Sequence, residues 1–232
     1  MYTDNHSTYH TDNTQSHPLD HVYQHQQDNK PSGEGFLNAL LEIIIYVVVI
    51  LVSVVVIRYF FIAPFSVDGS SMEPNLHHNE LIIINKIGYS EWFGFKFGQP
   101  KRGDIVVVIP PNDTSKFYVK RIVALPNENI EFVSGEIVIH NEEYPNGSRL
   151  SEKYLSDDNS STNPPGGYRN KTVNLSEREY YILGDNRSHS HDSRKFGPIN
   201  QANIVGKVWV VVWPFPHLRV LEDYIYSLLR IF

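Results

Sequence analysis

One long run of apolar residues separates a polar amino-terminal segment from the rest of the chain. Between residues 36 and 65 the only charged residues are Glu42 and Arg58. About twenty helical residues, rising 1.5 Å each, cross a bilayer core of roughly 30 Å, so residues 36–58 are predicted to form one transmembrane helix. Lys30 is the one Lys or Arg before the apolar run, so the basic region of a cleavable signal sequence is missing. An uncleaved anchor is therefore predicted.

Beyond this run, the chain contains short stretches whose length and composition are typical of β-strands. The stretches are rich in β-branched and aromatic residues and are bounded by Gly, Pro, Asn and Asp. Ser134-Gly135, between two of them, is typical of a hairpin turn. The pattern predicts a mainly β, antiparallel domain over residues 64–216. The predicted strands are Leu81–Asn85, Asp104–Ile109, Phe117–Val123, Ile130–Val133, Ile137–His140, Tyr180–Leu183 and Val208–Trp213.

Two segments of the second half of the chain depart from the strand pattern. Residues 141–179 are rich in Asn, Ser, Pro and Gly and are predicted to form a long, mobile surface insertion. Residues 217–232 carry apolar side chains at near-helical spacing, which predicts an amphipathic helix that packs on the core or lies on the membrane surface.

The first 34 residues form a polar tail with almost no aliphatic side chains. Such a composition buries too little apolar surface to offset the entropy of ordering, so the tail is predicted to be disordered. Its histidine spacing suggests metal binding, but a solvated tail is the better interpretation, because no carboxylate pattern repeats with it. The tail histidines are His6, His10, His17, His21 and His25.

Composition and charge narrow the classes of function. A chain of 232 residues holds one substantial domain. Its formal net charge of −6 gives no support to a nucleic-acid partner, which normally requires a clustered basic face. The absence of Cys excludes disulfides, thiolate metal sites and cysteine nucleophiles.

Four short blocks carry residues capable of chemistry. A serine hydroxyl needs a base, and a lysine can serve when burial lowers its pKa from about 10.4 toward neutrality. Strand alternation directs Lys120 and Arg121 to opposite faces, so one is expected to be internal while the other is solvated. The backbone N–H groups of Gly69-Ser70-Ser71 are candidates to converge on an oxyanion. The blocks are Phe65–Pro74, Arg102–Val108, Tyr118–Pro126 and Gly184–Arg194.

A histidine-based triad is the competing arrangement. His189 or His191 with Asp192 and a serine would suffice in principle. Both histidines lie in a run of polar residues, however, and are expected to be exposed loop residues.

The four blocks, in this order and just after a membrane anchor, resemble the sequence boxes of bacterial type I signal peptidases. The resemblance covers most of residues 60–216 and implies the signal-peptidase-like β fold. It assigns Ser71 as nucleophile and Lys120 as general base, and matches Ser190 to the serine that orients the lysine. It gives Asp104 a structural role, and Trp213-Pro214 also resembles a family feature. Residues implied to brace the site are Asp185, Arg187, Asp192 and Arg194.

The chain departs from the family pattern at a few turn positions. Asn127-Glu128 replaces the usual Gly-Asp after Leu-Pro, Asn75 replaces a Thr, and Ala124 replaces a common Gly. Gly69 stands two positions before the nucleophile, so an oxyanion donor there would have to be backbone N–H, beside that of Ser71.

The resemblance implies a membrane-bound serine endopeptidase that removes signal peptides from exported preproteins after small residues at −3 and −1. No metal or nucleotide cofactor is expected. The expected partners are preprotein signal peptides, the lipid bilayer and the export machinery, with no nucleic acid. The expected location is the plasma membrane, with the catalytic domain on the extracytoplasmic side. The charge bias, Lys30 before the helix against Arg58 and Lys86 after it, leans weakly against the inside amino terminus that this orientation requires. Residues expected to contact substrate are Phe65, Val67, Met72 and Tyr118.

Three other functions are compatible with parts of the pattern. A self-cleaving repressor also uses a Ser–Lys pair, but it is normally soluble, against the anchor. A catalytically inactive, membrane-tethered β module would bind extended peptides. A structural surface protein would suit the segment 141–179 but would leave the four ordered blocks without explanation.

Overall fold

A computed structural model of the chain describes residues 33–87, 89, 98–159, 161–162, 171–221 and 228–230. The chain divides into two compact units, residues 1–51 and 52–232. Helix α1 spans Gly33–Phe60. Within it, the 26 residues Gly35–Phe60 reach a hydropathy of 3.2 and are not buried, so they are long and apolar enough to cross a membrane. The predicted helix is confirmed, whereas the predicted disordered tail lies almost entirely outside the described residues.

All strand pairings in the described part of the chain are antiparallel, which confirms the mainly β, antiparallel prediction. A four-residue helix, α2, spans Ser193–Phe196. The strands are β1 Ile62–Ser66, β2 Leu81–Asn85, β3 Ile105–Val108, β4 Tyr118–Ala124, β5 Asn129–Val133, β6 Glu136–His140, β7 Ser148–Leu150, β8 Lys171–Asn174, β9 Glu179–Leu183, β10 Ile199–Asn200, β11 Ile204–Trp213, β12 Arg219–Val220 and β13 Leu228–Arg230.

The strands form two sheets. The larger has the order β1-β2-β11-β3-β4-β9-β10, and β12 pairs with β11. The smaller has the order β13-β7-β6-β5-β8. The predicted turn at Ser134-Gly135 joins β5 to β6, and both residues have positive φ. Strand β1 is the terminal strand of the larger sheet, and among the described residues it pairs with β2 alone.

The larger sheet is buried on both faces at its centre. In β3, Ile105 and Val107 pack with one apolar cluster, whereas Val106 and Val108 pack with another. A third cluster joins the smaller sheet to β4 and β9, where Val123 and Leu183 contribute. Strands buried on both faces lack strict alternation, and β3 accordingly consists only of Ile and Val.

The predicted surface insertion at 141–179 is more structured than its composition indicates. It contributes β7 and β8 to the smaller sheet, and Ser148, Leu150, Thr162 and Leu175 are buried. Pairing with strands distant in sequence supplies order that local composition does not show.

The carboxyl-terminal amphipathic helix was predicted wrongly for the part of 217–232 that the structure describes. Arg219–Val220 pair with Val210 and Val211 of β11, and Leu228–Arg230 pair with β7. Short apolar runs do not distinguish helix from strand, and here the edges of two sheets accept the chain as short strands.

Candidate active site

Ser71 lies in the loop between β1 and β2, called here the Ser71 loop (residues 67–80). Its ends are joined by two backbone hydrogen bonds, from Val67 N to Glu80 O at 2.8 Å and from Asn79 N to Val67 O at 2.9 Å. Gly69 has a φ of +92°, in the region that favours glycine. Val67 and Met72 are buried, at 4% and 1% exposure, and fix the loop to the core beneath it.

Lys120 extends from β4 to the hydroxyl of Ser71. Its Nζ lies 2.7 Å from Ser71 Oγ and donates to Val119 O at 2.9 Å. The side chain is buried, and burial lowers the pKa of Lys120 to about 8, although the charges of Asp192 and Asp185 oppose the shift. The neutral amine is therefore accessible near physiological pH, and in that form it can accept a proton.

The neighbouring Arg121 is also buried, so the expectation that one of these two cations is solvated was wrong. Arg121 donates from Nε and Nη2 to the two oxygens of Asp185, at 2.8 and 2.7 Å, and from Nη1 to Gly103 O. Asn75 Nδ2 also donates to Asp185 at 2.8 Å. The negative charge of Asp185 makes it possible to bury the Arg121 guanidinium. Because Asp185 accepts from both Arg121 and Asn75, it also connects β4 to the Ser71 loop.

Asp192 is fully buried beside Arg194. It accepts from Arg194 Nε and Nη2, both at 2.8 Å, and from Gly184 N at 3.0 Å. Burial raises the pKa of Asp192, but hydrogen bonds and the charge of Arg194 outweigh burial and lower that pKa overall. Asp192 is thus a fixed negative charge that acts on Lys120.

Arg187 is a second buried cation of the block Gly184–Arg194. Its guanidinium pairs with Glu152 and donates to the hydroxyls of Thr162 and Tyr154, and its Nε donates to Gly184 O at 3.1 Å. Arg187 therefore connects the turn that follows β9 to the segment that carries Glu152 and Tyr154.

Ser190 lies close to Ser71 but is not hydrogen bonded to Lys120. Its Oγ is buried without a hydrogen-bond partner in the described part of the chain. Gly184 makes this approach possible, because a Cβ at Gly184 would overlap Ser190 Oγ and would lie 2.5 Å from Ser71 O. The structure thus brings Ser190 to the site without the orienting contact that the resemblance implies.

The two candidate oxyanion donors differ in their present contacts. Gly69 N donates to His78 Nδ1 at 3.0 Å, so this N–H group is engaged within the loop. Asn186 N donates to Ser71 O at 3.0 Å and holds the loop from the turn after β9. Ser71 N–H is the better candidate for an oxyanion, since Gly69 would first have to release His78.

A groove of about 520 Å³ opens beside Ser71 and Lys120. Phe65, Val67, Met72 and Tyr118, the four residues predicted to contact substrate, all line this groove. Phe117, which sequence reasoning did not select, stacks edge-on against Phe65 with ring centroids 5.2 Å apart. His189 and His191 also line the groove.

The histidine triad is not assembled in the part of the chain that the structure describes. His189 Nδ1 contacts Asn186 and Ser188, and His191 stacks on Phe196. Asp192 uses its oxygens for Arg194 and Gly184 N, as described above.

Two structural acids lie outside the groove. Asp104, at the start of β3, is buried and accepts from Tyr89 OH and Lys101 N and pairs with Lys207 at 2.7 Å. Glu128, where the family usually has Asp, accepts from Arg102 and Leu125 N. Asn75, Glu152 and Glu128 were not selected as site residues, because their charged partners Asp185, Arg187 and Arg102 lie 26 to 110 residues away in sequence.

A serine hydroxyl beside a buried lysine, at the floor of a groove in an antiparallel β domain, is the arrangement of a serine hydrolase. Comparison with known proteins places the chain more narrowly. The family model for signal peptidase, peptidase S26, matches residues 40–213. The chain belongs to this signal peptidase family, whose members remove signal peptides as serine endopeptidases.

Individual relatives agree with the family model. Signal peptidase I of Bacillus licheniformis is 32% identical over 187 residues, covering 78% of this chain and 93% of that protein. Signal peptidase IB of Staphylococcus aureus is 31% identical, with coverage of 78% and 93%. A probable signal peptidase I-2 of Synechocystis sp. is 32% identical over 68% of this chain, which spans 66% of that protein's length. A crystal structure of a signal peptidase I from Enterococcus faecalis V583 is 31% identical, covering 47% of this chain and 96% of that chain, with a TM-score of 0.38.

Proposed function

We propose that the chain cleaves preproteins with a Ser71–Lys120 dyad, after small residues at −3 and −1 of the signal peptide. The observation that carries this proposal is the 2.7 Å separation of Lys120 Nζ from Ser71 Oγ, at a lysine whose pKa is lowered to about 8 by burial. A lysine in water would stay protonated at neutral pH and could not accept the serine proton.

The reaction requires two proton transfers through one amine. Neutral Lys120 accepts the proton of Ser71 as Oγ attacks the scissile carbonyl carbon, and Ser71 N–H stabilises the oxyanion. When the C–N bond breaks, Lys120 returns the proton to the leaving amine. Water then attacks the acyl-enzyme ester with Lys120 again as base, which releases the carboxylic acid and restores Ser71.

Substrate binding uses the terminal strand of the larger sheet. An extended peptide adds to an exposed sheet edge through backbone hydrogen bonds, and alternate side chains then enter pockets. Strand β1 leads directly into the groove, where Phe65 and Val67 wall the pockets for the −3 and −1 side chains. Bulky side chains would not fit beside these walls, which accounts for a preference for small residues.

Helix α1 fits a single-pass membrane anchor, and it would hold the β domain on the extracytoplasmic face of the plasma membrane. Confining enzyme and membrane-bound preprotein to one surface raises their effective concentration. The export machinery would deliver preproteins to that same surface.

The test is cleavage of a purified preprotein in detergent, with the new amino terminus of the product sequenced. Wild type is expected to cut just after a small-x-small motif, and Ser71→Ala to lose turnover. Lys120→Arg should lose turnover as well, because a guanidinium cannot act as a base. Lys116→Arg is the matched control, since Lys116 is an exposed lysine paired with Asp113. A protein that binds several preproteins and cuts none would instead be a tethered peptide-binding module.

A further inference from the structure

Three metal-ligating side chains meet where the Ser71 loop joins β2. His217, in the turn after β11, places Nδ1 3.0 Å from Glu80 Oε1, and His77 places Nδ1 3.7 Å from the same oxygen. The three ligand atoms all lie within 4.8 Å of one another. We propose that His77, Glu80 and His217 form a binding site for a divalent transition-metal ion such as Zn²⁺.

Two of the three separations between the ligand atoms are close to those of a tetrahedral site. Zn–N and Zn–O bonds are about 2.0–2.2 Å long, so adjacent ligand atoms around a tetrahedral zinc lie roughly 3.3 Å apart. The observed separations of 3.0 and 3.7 Å fall on either side of that value. Small rotations of the two histidine side chains would therefore suffice, with no movement of the backbone.

The chemistry of the donors favours zinc and similar ions over calcium or magnesium. Two imidazoles and one carboxylate suit borderline ions, whereas hard cations prefer oxygen ligands alone. Each imidazole would bind the ion through an unprotonated Nδ1 and keep its one proton on Nε2, so that both histidines are neutral. The site is reachable from solvent, because both histidine side chains are about half exposed, at 49% and 47%. Water can occupy a fourth coordination position.

Glu80 is held in place independently of an ion. It is 1% exposed, and its carboxylate accepts from Arg219 Nη1 at 2.8 Å, Arg219 Nη2 at 3.0 Å and His77 N at 3.0 Å. Burial raises the pKa of Glu80, but these hydrogen bonds outweigh burial and lower it to about 2, so the ligand is anionic. Arg219 fixes the orientation of the carboxylate, as outer partners do at metal sites, while its positive charge weakens affinity.

A bound ion would clamp the base of the Ser71 loop. The backbone of Glu80 already pairs with Val67 across the loop ends, and Arg219 Nη2 donates to Asn75 O at 2.7 Å within the loop. Joining His217 to His77 and Glu80 would add a coordinate link between the loop and the segment after β11. The ion takes no part in the Ser71–Lys120 chemistry; its role is to position the loop.

Zinc titration of the full-length protein in detergent tests the site. The tail histidines at positions 6, 10, 17, 21 and 25 are first replaced by Asn, so that they do not bind zinc. This background is compared with the same chain carrying His77→Ala and His217→Ala, by competition against a chromogenic chelator. The matched control is His140→Ala, which removes a histidine that also faces a carboxylate, 3.1 Å from Glu131.

The background and the His140→Ala control are expected to bind one Zn²⁺ more than the double variant, or to bind it at least tenfold more tightly. Co²⁺ added in place of Zn²⁺ should give the visible absorption of a tetrahedral site in the background and lose it in the double variant. Equal zinc stoichiometry and affinity in all three proteins would overturn the proposal. Melting curves in chelator confirm that each variant is folded, and if the double variant is not, His217→Asn alone takes its place with the same expected loss.

Discussion

Two adjacent cations of β4 illustrate how burial acts differently on different side chains. Lys120 forms no hydrogen bond to a carboxylate in the described structure, so desolvation dominates and its pKa falls to about 8. Arg121, equally buried, is matched by both oxygens of Asp185. A guanidinium remains charged in proteins, whereas an amine can release its proton. Arg121 therefore holds the site in place, and Lys120 is the residue proposed to transfer the proton.

The buried Arg121–Asp185 pair should be important for stability. Asp185→Asn removes the negative charge and leaves the guanidinium buried without a counter-charge, so the free energy of unfolding should fall by about 3–5 kcal/mol. Denaturant unfolding measures this change. The control is Glu136→Gln at the exposed pair with Arg149, where the loss should stay within about 1 kcal/mol. An equal fall in the free energy of unfolding in both variants would show that the buried pair contributes no more to stability than the exposed pair.

At this scale, the sequence located the two residues proposed to react better than it located the residues that surround them. Ser71 and Lys120 are found 2.7 Å apart, as their motifs predicted. The burial of Arg121 was missed because its partner lies 64 residues away along the chain, and strand alternation carries no information about such a partner. Ser190 was placed near the site, but its contact with Lys120 is absent from the described structure.

At the scale of elements, the Ser71 loop depends on the turn that follows β9. Asn186 N donates to Ser71 O, and Gly184 allows the loop and Ser190 to approach the turn closely. Each element alone is a short, irregular segment, so the position of Ser71 is set by their contact. The β-branched run Leu81–Asn85 was predicted with the observed bounds, whereas β7, β8 and β12, which have no such run, were not predicted and pair with β6, β5 and β11.

Gly184→Ala should reduce activity strongly, although it replaces no residue that lines the groove. Its Cβ would lie 2.5 Å from Ser71 O, which is backbone and must shift. A displacement of about 1 Å at a reacting atom can lower the rate on the order of a hundredfold. Steady-state cleavage of a preprotein measures the effect. Removing the Ser190 side chain should not restore activity, because Ser71 O remains in the way; wild-type rates in Gly184→Ala would contradict the close contact.

For the whole molecule, helix α1 and the β domain differ in what they contain. Helix α1 is long and apolar enough to cross a membrane, and the β domain holds the groove and the residues proposed for chemistry. The family model matches residues 40–213, which include most of helix α1 and most of the β domain. The apolar run and the motif order made this organisation predictable. The strands in the described parts of residues 141–179 and 217–232 were not predictable, because each pairs with a strand outside its own segment.

Deleting residues 2–30 should leave cleavage in detergent unchanged. The deleted segment is polar and lies outside the family match, so its loss should remove no part of the groove. The measurement compares kcat/KM of the truncated and full-length proteins on one preprotein. An inactive truncated enzyme that remains folded would show that the tail contributes to catalysis or substrate binding.

The central claim is that Lys120 is the general base, and the pH dependence of kcat/KM tests it most directly, because this ratio reports the pKa values of the free enzyme. The account predicts that kcat/KM rises with pH through an apparent pKa near 8 and then levels off, since only the neutral amine of Lys120 accepts the serine proton. A rise through a pKa near 6.5, the ordinary value for histidine, would contradict the assignment and return His189 or His191 to consideration. A rate independent of pH between about 6 and 9 would contradict it equally.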